Sequence, residues 1–209
     1  MNFSLNEMEA IAKRATRGAG YPWGLAEEAS KATRWLCLQG LDGAGILAQL
    51  LERGLAAAPA IHSPQQGDSP WRGEGDLCPL LAGASLSDNT HLLTAGRIEM
   101  QTVTAPALLL PFASNAARML NSTLTVKIDG ARAVTDGDNL MAPDSLPATA
   151  ESVSVSQGGA SSAPRKQHSR AYPAMRHWDT LNRFARRTYA PETEESRLLG
   201  AGAGLSDND

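Results

Sequence analysis

Leu124-Thr125-Val126-Lys127-Ile128-Asp129-Gly130-Ala131-Arg132-Ala133-Val134-Thr135 decides the fold class of this chain. Leu124, Val126 and Ile128 recur at the two-residue period of a half-buried strand, and Asp129-Gly130 is a strong hairpin turn leading into Ala131–Thr135. Just upstream, Ile98 to Val103 reads as a strand and Pro106 to Leu110 as a short buried strand. Phe112-Ala113-Ser114-Asn115 then leads into a helix carrying Ala116, Ala117, Met119 and Leu120.

Further toward the N-terminus the period changes from two to 3.6. Ser4 and Glu7 form a Ser-x-x-Glu capping box, followed by Leu5, Met8, Ile11, Ala12 and Ala15 at helical spacing, with Gly18 as a stop. A second helix starts near Tyr21-Pro22-Trp23, buries Leu25, Ala29, Ala32, Trp35 and Leu36, and closes at Gly40. A third runs from an Asp42 cap through Ile46, Leu47, Leu50 and Leu51 to Gly54. Short turns join the three into a helical subdomain.

Residues 55–76 lose all periodicity and carry three prolines and three glycines, so they read as a loop. Residues 143–171, rich in Ser, Ala, Gly and Pro, read as a second, mobile loop, with a short edge strand around Val153 and Val155. From Pro173 to Tyr189 a last amphipathic helix places Trp178, Leu181, Phe184 and Ala185 on one side and Arg176, Arg183 and Arg187 on the other. The expected fold is one α+β domain over residues 1–209. It has an N-terminal helical part (1–54), a small mixed or antiparallel sheet with its helices (77–142 and 172–209), and a C-terminal amphipathic helix packed on it.

A chain of 209 residues with 42% hydrophobic and 20% charged residues is of ordinary globular composition. Its net charge of −3 gives no general attraction to nucleic acid or anionic lipid, so neither is expected as a partner. No apolar run reaches membrane-spanning length and no signal peptide is visible, which makes the cytoplasm the expected location. Cys37 and Cys78 are the only cysteines, and the four histidines form no ligand pair. Nucleophile-elbow, P-loop and dinucleotide motifs are absent, no metal is expected, and the cofactor is unassigned.

Three segments concentrate glycine, arginine and carboxylates: residues 17–28, 111–118 and 196–209. Ser114 and Asn115 are good capping residues, and a helix N-terminus there would attract an anion that Arg118 could grip as a fork-shaped donor. A capped helix with Arg118 in a surface ion pair is the structural alternative. Glu27 and Glu28 point in different directions on the second helix, so at most one faces a cleft with Arg17 or Arg34. Buried beside Trp23, such a carboxyl would have a raised pKa and serve as acid or base. A helix–turn–helix corner with Trp23 in the core accounts for the same residues. In the tail, Asp207 and Asp209 offer oxygen ligands to a divalent cation, or are simply solvated. Residues 165–187 carry seven basic side chains, for which the acidic tail is an internal partner.

The stretches Ser4-Leu-Asn-Glu-Met-Glu and Arg17-Gly-Ala-Gly-Tyr-Pro-Trp-Gly-Leu-Ala-Glu-Glu-Ala, the passage Leu108-Leu-Leu-Pro-Phe-Ala-Ser-Asn-Ala-Ala-Arg118 and the ending Ser196–Asp209 resemble an uncharacterised bacterial family known only as a domain of unknown function. The resemblance covers most of the chain. It implies a small cytoplasmic bacterial protein and carries no assigned chemistry. Two functions follow from the residues. One is an accessory protein that binds a small anionic metabolite through Ser114, Asn115 and Arg118, a reading that also admits a homodimer. The other is an enzyme using Glu27 or Glu28 as acid/base, with Arg17 or Arg197 fixing the substrate.

Overall fold

The computed structural model describes residues 2–65, 70–160 and 163–189. The described chain opens on β1 (Phe3–Ser4) and α1 (Leu5–Gly18), entered through the expected capping box: the Glu7 backbone N–H donates to the Ser4 hydroxyl and the Ser4 N–H to the Glu7 carboxylate. Pro22 immediately precedes α2 (Trp23–Leu38). The Asp42 carboxylate accepts the Gly45 N–H and caps α3 (Gly43–Glu52). Gly40 and Gly54, at φ of 73° and 69°, make the left-handed turns that end α2 and α3.

After two short 3-10 turns, α4 (Pro79–Asp88) leads to β2 (Ile98–Thr104) and α5 (Leu109–Leu120). The expected hairpin follows as β3 (Leu124–Ile128) and β4 (Ala131–Thr135), then β5 (Leu140–Met141) and β6 (Thr149–Gln157). The last elements are β7 (Arg170–Ala171), which pairs with β1, and α6 (Met175–Ala185), where Trp178 stacks on Phe3 with ring centroids 3.7 Å apart.

The five-stranded sheet has the order β2-β6-β3-β4-β5, and its paired strands are antiparallel. Both β2 and β3 oppose β6, so they run parallel to each other, and α5 is the crossover between them. Register sorts the side chains by face. Ile98, Val155, Val126 and Ala133 are cross-strand neighbours in one row and are buried. Glu99, Ser154, Lys127 and Arg132 form the adjacent row on the opposite, wet face. This is the alternation of an antiparallel sheet covered on one side only. On the covered side α5 packs on β3 and β4, α4 packs on α5, and α2 joins this layer to α1 and α3, on which α6 packs. Buried side chains from both parts form one continuous cluster. The fold is α+β with an antiparallel sheet.

Three segments differ from the sequence reading. Pro106–Leu110 is a 3-10 turn (Pro106–Leu108) running into α5, not a strand. Both Pro106 and Pro111 fall in first turns, where the missing N–H breaks no bond. Inside the supposed loop 143–171 lies β6, hydrogen-bonded on both sides and therefore an interior strand, not an edge. Within the aperiodic stretch 55–76, Trp71 makes an isolated parallel bridge to β2, and Leu77 just beyond makes another, so they cover its outer edge.

Candidate functional site

A groove of about 330 Å³ lies between the helical part and α5. It arises from two stripes at helical spacing that face each other. On α2, Glu28, Lys31 with Ala32, Trp35 and Leu38 recur every three or four residues, joined by Arg34. On α5 the stripe is Pro111 with Phe112, Asn115 and Arg118, and α1 adds Glu9. Phe112 and Ala32 are buried and form an apolar floor, while the charged groups make a rim.

The rim is laced by exchangeable pairs. Arg34 meets Glu9 at 3.2 Å, and Lys31 meets Glu28 at 2.8 Å. Arg118 donates to Asp138 at 3.2 Å and to the Asn115 side-chain oxygen at 3.2 Å. Such exposed pairs contribute about 0–1 kcal/mol each, so a ligand can displace one partner at little cost. In the groove wall, the Trp35 indole Nε1 is buried and has no acceptor. An unmatched buried donor costs about 1–3 kcal/mol.

Of the residues singled out in the sequence, Glu28, Arg34, Asn115 and Arg118 come together here. Ser114 does not face the groove. It is fully buried, and its hydroxyl donates to the Gly137 carbonyl at 2.6 Å. That bond anchors the 136–139 turn, in which Asp136 accepts the backbone N–H groups of Asp138 and Asn139 and which presents Asp138 to Arg118. Nor do Ser114 and Asn115 cap a helix: α5 begins at Leu109, so they sit in its interior with the helical amides already paired.

Arg17 and Glu27 lie elsewhere. The Arg17 guanidinium sits 4.7 Å from the Trp23 ring centroid and donates to the Tyr21 carbonyl. Glu27 pairs with Lys13 at 2.7 Å, and that hydrogen bond holds its carboxyl below the usual range, the reverse of the expected shift. The cause is exposure: Trp23 is 63% accessible, so no apolar pocket surrounds the carboxyl. Arg197, Asp207 and Asp209 lie outside the described residues. The sequence reading leaves out Lys31, Trp35 and Phe112 as site residues; the three-to-four spacing along residues 28–38 signals the first two, and the 111–118 segment contains the third.

Other reactive groups are occupied. Cys37 and Cys78 are buried, and burial raises both thiols, Cys37 to about 11. Cys78 is 3.5 Å from the Tyr21 hydroxyl. In the basic stretch, Arg165 pairs with Asp144 at 2.9 Å and Arg183 with Glu52 at 2.8 Å, so these two find acids other than the tail. Among the described residues no group of three or more His, Cys, Asp or Glu side chains could hold a metal ion, and no helix is long and apolar enough to cross a membrane.

No curated protein and no solved structure matches the chain. Residues 3–76, which supply the α1 and α2 walls of the groove but not its α5 wall, match the model of a family described as a protein of unknown function (DUF3726), and in that region the chain is similar to an uncharacterised family.

Proposed function

We propose that the chain is a binding protein for a small anionic metabolite, taken up in the groove between α2 and α5. The observation that carries this reading is the convergence of Lys31, Arg34 and Arg118 on one groove, each paired with a surface carboxylate. All three are donors without acceptor capacity, so the ligand they suit is rich in acceptor oxygens. Arg118 is the principal anchor and Asn115 orients it. Ser114 acts through the 136–139 turn and not by contact. A groove of about 330 Å³ is at the small end of ligand sites, which fits a metabolite rather than a polymer. The acid–base alternative rests on Glu28, since it alone of the two adjacent glutamates lines the groove.

A thermal-shift and calorimetric panel of small carboxylates and phosphates tests the proposal. At least one compound is expected to stabilise the protein, and Arg118→Gln should weaken it by roughly tenfold or more, the loss of one charge-assisted contact. A panel without a hit, or hits that Arg118→Gln binds equally well, would overturn it.

A further inference from the structure

We infer that the ligand class is a planar aromatic monocarboxylate, its ring lodged on the groove floor and its carboxylate at Arg118; this rests on the small-anion reading above. The floor selects the ring. Trp35, Phe112, Pro111 and Leu38 present flat or apolar surface from both helices, in a space too small for a large ligand. An aromatic body gains both area burial and ring–ring contact there. The rim selects the charge. Its three cations are each paired with one carboxylate, Arg34 with Glu9, Lys31 with Glu28 and Arg118 with Asp138, so the rim is balanced as it stands. A ligand monocarboxylate that takes the place of Asp138 on Arg118 keeps that balance, whereas a phosphate dianion brings a second charge against the two glutamates.

The anchoring partner is also replaceable. Asp138 is 81% exposed on its side chain, so its hold on Arg118 is screened by solvent, and a ligand carboxylate delivered on a desolvated ring competes with it. Arg118 presents a planar fork that a carboxylate matches with two parallel bonds.

Isothermal titration of the full chain with indole-3-acetate, benzoate, acetate, inorganic phosphate and uncharged benzamide distinguishes the possibilities. The two aromatic carboxylates are expected to bind at least roughly tenfold more tightly than acetate or phosphate, and benzamide at least roughly tenfold more weakly than benzoate. Trp35→Phe keeps a ring and removes the N–H. It should leave indole-3-acetate affinity within about twofold and thermal stability equal or higher, because the ring stays and only the unmatched donor is gone, whereas Trp35→Leu, which removes the ring, should weaken indole-3-acetate by roughly fivefold. Acetate or phosphate binding as tightly as benzoate, with the affinity lost in Arg118→Gln, would overturn the aromatic class and leave the anion site standing. Benzamide binding as well as benzoate would overturn the charge requirement. If none of the five binds, both this inference and the small-anion reading fall.

Discussion

At the scale of single residues, what matters most is which polar groups are already committed. Cys37 illustrates the point. Its thiol is buried in α2 against α3, and desolvation raises it from 9.0 to about 11, outweighing the hydrogen bonds it receives from the Gly43 and Ala44 backbone. Cys78 is raised by burial as well. Neither is expected to react with a thiol reagent at pH 8 in the native protein, and both should titrate after unfolding in guanidinium. Rapid native labelling of either would show that the α2–α3 or the α4 packing is misread. The mid-helix place of Cys37 among apolar neighbours marks it as a core side chain in the sequence itself. No such sign shows that Ser114 turns inward, because a serine in a helix offers the same hydroxyl to a ligand and to a neighbouring carbonyl. Only the 136–139 turn, twenty-odd residues downstream, decides between them.

At the scale of elements, period was readable wherever one face is wet. Helices α1, α2, α3 and α6 and the β3–β4 hairpin carry strong alternation or caps, and they lie where the sequence puts them. Helix α4 is nearly hidden because Leu80, Ala82, Gly83 and Leu86 are buried on several sides, which erases the apolar stripe. Strand β6 is hidden for another reason: Ser152, Ser154 and Ser156 on its wet face imitate a linker composition. Its interior position makes a sharp expectation. Val155→Ala should destabilise the protein by about 2 kcal/mol, as a truncation in the sheet core, whereas Ser154→Ala on the outer face stays within about 0.5 kcal/mol. Equal, small effects in chemical denaturation would return β6 to an edge. Gly83 tests the contact of α4 with α5. A Cβ there would lie 2.5 and 2.6 Å from atoms of the Phe112 ring, which is itself buried in the groove floor. Gly83→Ala is expected to cost about 1–3 kcal/mol by overpacking and to impair ligand binding in the groove, read by the same titrations.

At the scale of the whole molecule, the groove exists only because two separately readable parts meet. Glu28 belongs to the N-terminal helices and Asn115 and Arg118 to the sheet-backed helix, so each was visible as a candidate, but the face each turns to the other depends on the packing of α2 on α5. Caps, turns and buried side chains in both parts set how stability depends on pH. On the acid side, Asp136 is held low first by the Asn139 side chain, Glu7 by the Ser4 backbone N–H, and Glu27 by Lys13. Their folded values lie below the unfolded ones, so their contribution is present above the ordinary carboxylate range and is lost as pH falls through it. On the alkaline side the sign reverses. Buried Cys37, Cys78 and Tyr21 all hold their protons longer in the folded state, because desolvation disfavours the anion. For Cys37 the unfolded chain begins to release its proton near 9.0 while the folded chain retains it to about 11, so stability is full below pH 9 and declines across that interval. Two units correspond to about 3 kcal/mol at most. The melting temperature is therefore expected to be level from about pH 5 to pH 9 and to fall steeply by pH 10.5. In Cys37→Ala, which cannot titrate there, the drop between pH 8 and pH 10.5 should be smaller than in the parent. A parent melting temperature that stays level through pH 10.5 would mean that these side chains are not buried together, and the continuous core that joins the helical part to the sheet would go with them.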